Sequence, residues 1–81
     1  MLSNEQTLKE VVARVFRIDA AHVTPDTSAE TVETWDSLNH LNLMLALESA
    51  FDVRIPAVAF SEMLSYPQIR STLARCGVQF S

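Results

Sequence analysis

The sequence predicts an all-α fold, a small four-helix bundle with a long loop between its first and second helices. Two segments repeat their apolar residues at helical spacing, and three helix starts carry a side chain suited to capping. No segment alternates apolar and polar residues as a half-buried strand does. A chain of 81 residues has room for one domain only, so we expect residues 1–81 to form a single domain.

We expect the first helix to begin near Ser3 or Asn4 and to end near Arg17. Ser3 followed by Gln6 fits a capping box, in which two side chains satisfy backbone N–H groups at a helix start. One apolar stripe runs along this helix and is formed by Leu8, Val11, Val12, Val15 and Phe16.

The segment 18–35 is rich in turn-forming residues, which indicates a long loop. Loops of this length inside a compact domain are usually functional or disordered. Val23, Val32 and Trp35 are spaced along the loop like anchors to a core, so we expect an ordered loop, with a short helical turn near Ala29–Val32.

The segment Ser37–Phe51 has the strongest helical pattern, and Asp36 can cap it. This second helix should end before the segment 52–56, because a residue that precedes proline disfavours helix. A short third helix is expected at Ala57–Leu64.

The last helix should begin after Ser65, with Pro67 in its first turn, where the missing N–H of proline costs nothing. Gln68 lies three residues after Ser65 and completes a second capping box. Gly77 is a plausible end for this helix.

The second helix is apolar on two nearly opposite faces at roughly 100° per residue. The predicted core face consists of Leu43, Leu47, Ala50 and Phe51, and the opposite face consists of Leu38, Leu41 and Leu45. A domain this small can hardly bury a helix all round, so we expect the second set, the leucine stripe, to be a docking surface for a partner. The alternative is that the long loop folds over the leucine stripe and buries it.

The composition excludes several classes of function. The net charge is −4 and the six basic residues are scattered, which argues against binding to nucleic acid. A single cysteine cannot form an internal disulfide, and neither histidine has a cysteine partner at zinc spacing. We see no signal peptide and no apolar run long enough to span a membrane, so we expect a cytoplasmic protein.

Ser37 stands beside Asp36 at the start of the second helix. Because Asp36 can already cap the helix, Ser37 has no evident structural role. A helix N-terminus favours an attached phosphate by about 0.3–1 kcal/mol at an exposed site. Ser37 is therefore a candidate attachment point, and the alternative is that it is simply a residue of the first helical turn.

The segment TWDSLNHLNLMLALESAFDVRIP, residues 34–56, resembles the acyl carrier protein family. It is similar to the family's Asp-Ser-Leu attachment motif, its recognition helix and the aliphatic-Pro pair that closes that helix. The preceding VTPDTSAETVE and the final SYPQIRSTL are similar to the family's loop and last helix, so the resemblance covers nearly the whole chain.

The resemblance implies a carrier that has no catalytic activity of its own. A phosphopantetheinyl transferase would attach the arm of coenzyme A to Ser37, so the cofactor would be covalent 4'-phosphopantetheine. The thiol of the arm would receive an acyl or aminoacyl group from a loading enzyme and present the thioester to an acyltransferase or synthase. The residues that partners would read are Asp36, Leu38, Leu41, Leu45 and Glu48. The protein would act as a monomer, without nucleic acid and without insertion into a membrane.

The chain departs from the family pattern where carriers for fatty acid synthesis are often acidic. The positions concerned hold Asn39, Asn42, Ser49 and Ala50. Trp35 also replaces a residue that is often small. These departures favour a carrier of a specialised pathway, such as polyketide, nonribosomal peptide, modified sugar or cell-envelope acyl transfer.

Two other functions compete with the carrier interpretation. A small helical interaction domain without a prosthetic group explains the two-sided helix equally well. A small hydrolase would pair Ser37 with His40, but no third residue is evident to orient that histidine, and we expect it to be packed or hydrogen-bonded. We expect Glu30, Glu33 and Asp36 to form a solvated acidic patch rather than a cation site.

Overall fold

Four α-helices and one short 3₁₀-helix make up the regular structure of residues 3–80, the part of the chain that the computed structural model describes. The α-helices are α1 (Asn4–Phe16), α2 (Ser37–Phe51), α3 (Ala57–Phe60) and α4 (Tyr66–Arg75). No β-strand occurs within residues 3–80, and the long connection between α1 and α2 is present. The predicted all-α fold is therefore confirmed. None of the helices described has the length and apolar character needed to cross a membrane.

Helix α1 begins and ends close to where its sequence predicts. The Ser3 hydroxyl oxygen accepts a hydrogen bond from the Gln6 N–H at 3.1 Å, as a cap does. Arg17 ends the helix in the left-handed conformation, with φ of 60°. The predicted apolar stripe faces the core. Val15 is half-buried, and the other members are buried, namely Leu8, Val11, Val12 and Phe16.

The loop between α1 and α2 is anchored to the core at both of its ends. Val23 is buried near its start and Trp35 near its end. The Trp35 ring stacks on the Phe16 ring of α1, with 4.5 Å between the centroids. The Thr34 hydroxyl also donates a hydrogen bond to the carbonyl of Phe16 at 2.7 Å. The expectation of an ordered loop with apolar anchors agrees with this packing.

The short turn expected near Ala29–Val32 is present. The Thr31 and Val32 N–H groups both donate to the Ser28 carbonyl, and the bond from Val32 has the spacing of one α-helical turn. A 3₁₀-helix that the sequence did not predict lies earlier in the loop, at Ala20–His22, and Asp19 caps it by accepting a hydrogen bond from the Ala21 N–H.

The middle of the loop pairs with the segment that precedes α4. The Ala29 N–H donates to the Leu64 carbonyl at 2.8 Å, and the Tyr66 N–H donates to the Thr27 carbonyl at 2.8 Å. These two backbone bonds hold the loop in an extended path here.

Helix α2 spans the predicted residues, but its buried face differs at one end. Leu43, Met44 and Leu47 are fully buried. The expectation that Ala50 faces the core is wrong, because Ala50 is exposed on an open groove at the end of the helix. Phe51 is half-buried and contacts a ring from the C-terminal segment rather than the centre of the core.

Helix α3 is one turn long and ends at Phe60, four residues earlier than predicted. After Phe60 the chain continues in turns, in which the Met63 N–H donates to the Phe60 carbonyl. Met63 is fully buried, so this turn is fixed by its own apolar side chain. The burial of Met63 was not evident from the helical spacing.

Helix α4 begins after Ser65, and Gly77, with φ of 104°, follows its end as predicted. The Ser65 hydroxyl accepts from the Gln68 N–H at 3.4 Å. In the predicted capping box the Gln68 side chain would accept from the Ser65 N–H. This part is wrong by one residue, because the Gln68 side-chain oxygen accepts from the Leu64 N–H.

A polar cluster ties α1 to α4. The Tyr66 hydroxyl and the Arg70 Nε–H both donate to the Glu5 carboxylate, the latter at 2.8 Å. Partial burial acts to raise the pKa of Glu5, but the hydrogen bonds from Tyr66 and Arg70 offset this and hold it below the usual value of 4.5. Burial and the neighbouring Glu5 carboxylate raise the pKa of Tyr66. The guanidinium of Arg70 also lies over the Phe80 ring, 4.8 Å from its centroid.

Truncation of a leucine to alanine should reduce stability by very different amounts on the two faces of α2. Leu47→Ala should lower the free energy of unfolding by about 2–5 kcal/mol, because it leaves a cavity in the core. Leu45→Ala, two residues away on the exposed face, should change it by no more than about 0.5 kcal/mol. Urea denaturation followed by circular dichroism measures both. Similar losses for the two variants would contradict this assignment of faces.

Candidate functional site

Ser37 is the first residue of α2, and its side chain is exposed. Asp36 is the cap, since its Oδ1 accepts a hydrogen bond from the Asn39 N–H at 2.8 Å. Among residues 3–80 the Ser37 hydroxyl has no hydrogen-bond partner. The predicted cap is thus confirmed, and it leaves the serine hydroxyl accessible.

The start of α2 is also tied to the end of the loop. The Asn39 side chain donates to the Thr34 carbonyl at 2.9 Å, and Asn39 is half-buried. Asn42 and Ser49 are exposed, as their positions on the helix predict. Ser37 therefore lies on a helix start that is held by the Asp36 cap and by the bond from Asn39 to the end of the loop.

A groove of about 430 Å³, open to solvent, lies beside Ser37. It is lined by Ala29, Trp35, Asp36, Ser37, His40 and Leu64. The loop, the first turns of α2 and the segment before α4 each supply part of the wall. Ala29 and Leu64 were not predicted as site residues, because their contact depends on a backbone hydrogen bond between distant segments, which no sequence pattern reveals.

His40 lies one turn into α2 and uses both of its ring nitrogens. Nδ1 is 3.0 Å from the Trp35 indole nitrogen, and Nε2 is 2.7 Å from the Phe60 carbonyl oxygen. An indole N–H can only donate, so Nδ1 accepts, and the proton of the neutral ring is on Nε2 and is donated to Phe60. The expectation that His40 is hydrogen-bonded is confirmed. Since neither nitrogen is left for Ser37, the Ser-His pair of a hydrolase is absent from this site.

The leucine stripe is exposed beside the groove. Leu38, Leu41 and Leu45 are 68%, 47% and 56% exposed, so the alternative that the loop buries them is wrong. Val58 of α3 and Leu64 are also exposed. The leucine stripe is thus open to contact from outside the domain, and its role in docking stays a prediction.

Glu48 lies eleven residues beyond Ser37, roughly 16 Å away along the helix axis. It is half-buried, and its Oε2 accepts a hydrogen bond from the Ile55 N–H at 2.8 Å. Glu48 thus closes the turn between α2 and α3, a role that its sequence position does not reveal. Its contribution to docking stays a prediction.

The other candidate groups add no chemistry to the site. Within residues 3–80 no group of three or more histidine, cysteine or acidic side chains is arranged to hold a metal ion. Cys76 is half-buried, and its sulfur is 3.8 Å from the Arg54 carbonyl oxygen. An exposed serine without a base can receive a group from another enzyme, but it is not activated to attack a substrate by itself.

A comparison with known families agrees with this geometry. Residues 6–76 match the family model described as a phosphopantetheine attachment site. The match includes Ser37, the groove and the leucine stripe. Proteins of this kind are non-catalytic carriers, in which 4'-phosphopantetheine is bound covalently to a serine and presents thioester-linked groups to partner enzymes. A phosphopantetheinyl transferase attaches the arm. The chain therefore belongs to the phosphopantetheine-binding carrier protein family.

Proposed function

We propose that Ser37 carries the phosphopantetheine arm and that Asp36 and the leucine stripe form the surface which partner enzymes read. The observation that carries this proposal is the exposed Ser37 hydroxyl at the start of α2, to which no side chain or backbone group within residues 3–80 is hydrogen-bonded. Asp36 supplies the cap, so modification of Ser37 leaves the helix start intact. A cytoplasmic location, where coenzyme A is available, is part of this proposal.

The surroundings of Ser37 fit a phosphodiester and a flexible arm. The first turn of an α-helix directs backbone N–H groups without intrahelical acceptors towards its start, where they favour a phosphate. Trp35 and Leu64 give the adjacent groove an apolar lining that suits the apolar part of the arm. The arm supplies a thiol for the thioester, while the protein supplies the anchor and the docking surface.

The charge of α2 supports a specialised pathway. Between Ser37 and Leu47 the helix has no acidic and no arginine or lysine side chain. Weak charge gives little electrostatic steering, so docking depends on apolar contact and shape. We therefore propose a carrier dedicated to polyketide, nonribosomal peptide, modified sugar or cell-envelope acyl transfer rather than to general fatty acid synthesis.

The attachment residue is tested by intact mass. After treatment with a broad-range phosphopantetheinyl transferase and coenzyme A, the wild type should gain the mass of one phosphopantetheine group. Ser37→Ala should gain none, whereas Ser49→Ala, which removes another exposed serine of α2, should behave like the wild type. A modified Ser37→Ala protein would refute the assignment. Thiol counting is unsuitable, because Cys76 supplies a thiol in every variant.

The leucine stripe is tested by adding a charge. Leu41→Glu and Leu45→Glu should raise the KM of the transferase for the carrier by about tenfold or more, because an apolar contact worth about 1.4 kcal/mol or more is lost. Their melting temperatures should stay close to that of the wild type, since both side chains are exposed. Ser71→Glu adds the same charge on α4 and should change neither quantity. A collapse of the melting temperature instead would assign this face to the core.

The pathway proposal is tested with a foreign enzyme. We expect the malonyl-loaded carrier to be a poor substrate for a fatty acid ketosynthase compared with a housekeeping carrier. The reason is the absence of acidic side chains along the exposed face of α2. Docking to its own partner should depend only mildly on salt. Equal turnover, with the usual loss at high salt, would show that Glu48, Asp52 and the loop acids supply enough charge for ordinary docking.

A further inference from the structure

His40 joins three separate segments around the groove. It belongs to α2, it accepts a hydrogen bond from Trp35 at the end of the long loop, and its Nε2 is bonded to the carbonyl of Phe60 at the end of α3. Both bonds require a neutral ring with its proton on Nε2, because the Trp35 indole can only donate. No other side chain within residues 3–80 bonds to both the loop and α3.

Helix α3 depends on such contacts for its position. It has four residues, and an isolated helix of this length is not stable in water. The side chains that line α3 towards solvent, such as Val58, do not hold it in place. Ala59 and Phe60 pack against the core, and the buried Ile55 and Met63 flank the helix. The hydrogen bond between His40 and Phe60 is the side-chain bond that adds to this packing.

The opposite wall of the groove is held by the backbone bond between Ala29 and Leu64. Leu64 follows Met63 directly, so a shift of α3 moves Leu64 as well as Val58. The loss of His40 therefore disturbs two parts of the groove together, Trp35 directly and Leu64 through α3. Ser37 lines the same groove as both residues.

We propose that His40 is a positioning residue for the modification of Ser37. It holds Trp35 and α3 in place, so that the groove and the apolar surface beside Ser37 are already formed when the transferase docks. A preformed surface binds more tightly because less conformational freedom is lost on binding. This inference rests on the proposed role of Ser37, and it adds a residue that acts through its neighbours without touching the reacting atoms.

The test uses three variants of the whole protein. His40→Leu fills similar space but removes both hydrogen bonds. His40→Gln keeps one acceptor and one donor on a neutral side chain. Trp35→Phe keeps a ring against Phe16 but removes the indole N–H, and so breaks only one of the two bonds. The KM and kcat of the transferase are measured by intact mass, and the folded fraction of each variant by circular dichroism.

His40→Leu should raise the KM for the carrier about tenfold and leave kcat within about twofold, as expected when two hydrogen bonds that preorganise a surface are lost. Trp35→Phe should give a smaller rise in KM, and His40→Gln should restore most of the loss. In wild type, long-range ¹H–¹⁵N spectra of His40 should show the proton on Nε2. Trp35 is the only tryptophan, so its fluorescence should report the altered environment in His40→Leu.

The outcomes separate this inference from the proposal on Ser37. A wild type that gains no mass overturns the role of Ser37 itself. Two results overturn the inference about His40 alone, provided that the wild type is modified. One is an unchanged KM in folded His40→Leu, and the other is a proton on Nδ1 of His40. If His40→Leu does not fold, Trp35→Phe decides, since an unchanged KM in that variant also overturns the inference.

Discussion

The stacking of Trp35 on Phe16 is the contact on which the arrangement of this carrier depends. It brings the end of a long loop onto α1 and ends that loop one residue before the cap of α2. The indole N–H, which is costly to bury without a partner, is satisfied by His40 on the following turn. One large side chain thus fixes the loop, the start of α2 and the residue after the cap, Ser37.

The surface around Ser37 reflects a compromise between solubility and recognition. Three exposed leucines on a small domain favour self-association, and acidic residues in their place would keep the surface soluble and attract basic enzymes. Here the acidic side chains lie at the ends of α2, with Asp36 before it and Asp52 after it. In the proposed mode of docking, recognition depends on the shape of the apolar surface, and the fixed geometry of its neighbours is then more important than in a carrier recognised by charge.

Most of the fold and the centre of the site could be predicted from local signals. Asp36 and Ser37 follow from capping chemistry, and the exposed leucine stripe follows from the helical period of α2 combined with the size of the domain. The features that were missed depend on contacts between distant segments. One example is the backbone bond between Ala29 and Leu64, which forms part of the groove. Another is the hydrogen bond that the Glu48 carboxylate accepts from the Ile55 N–H. Neither contact has a periodicity or a motif.

The pairing between the loop and the segment before α4 has a consequence for the order of events during synthesis. Ser37 leaves the ribosome well before Leu64, which lines the groove, and before Tyr66, whose N–H bonds to the loop. A nascent chain that ends before residue 64 therefore displays the serine without the wall beside it. The complete groove, and with it the proposed docking surface, exists only after residues 64–66 have emerged and folded back onto the loop. Chain synthesis itself therefore delays the moment at which the carrier is ready for its arm.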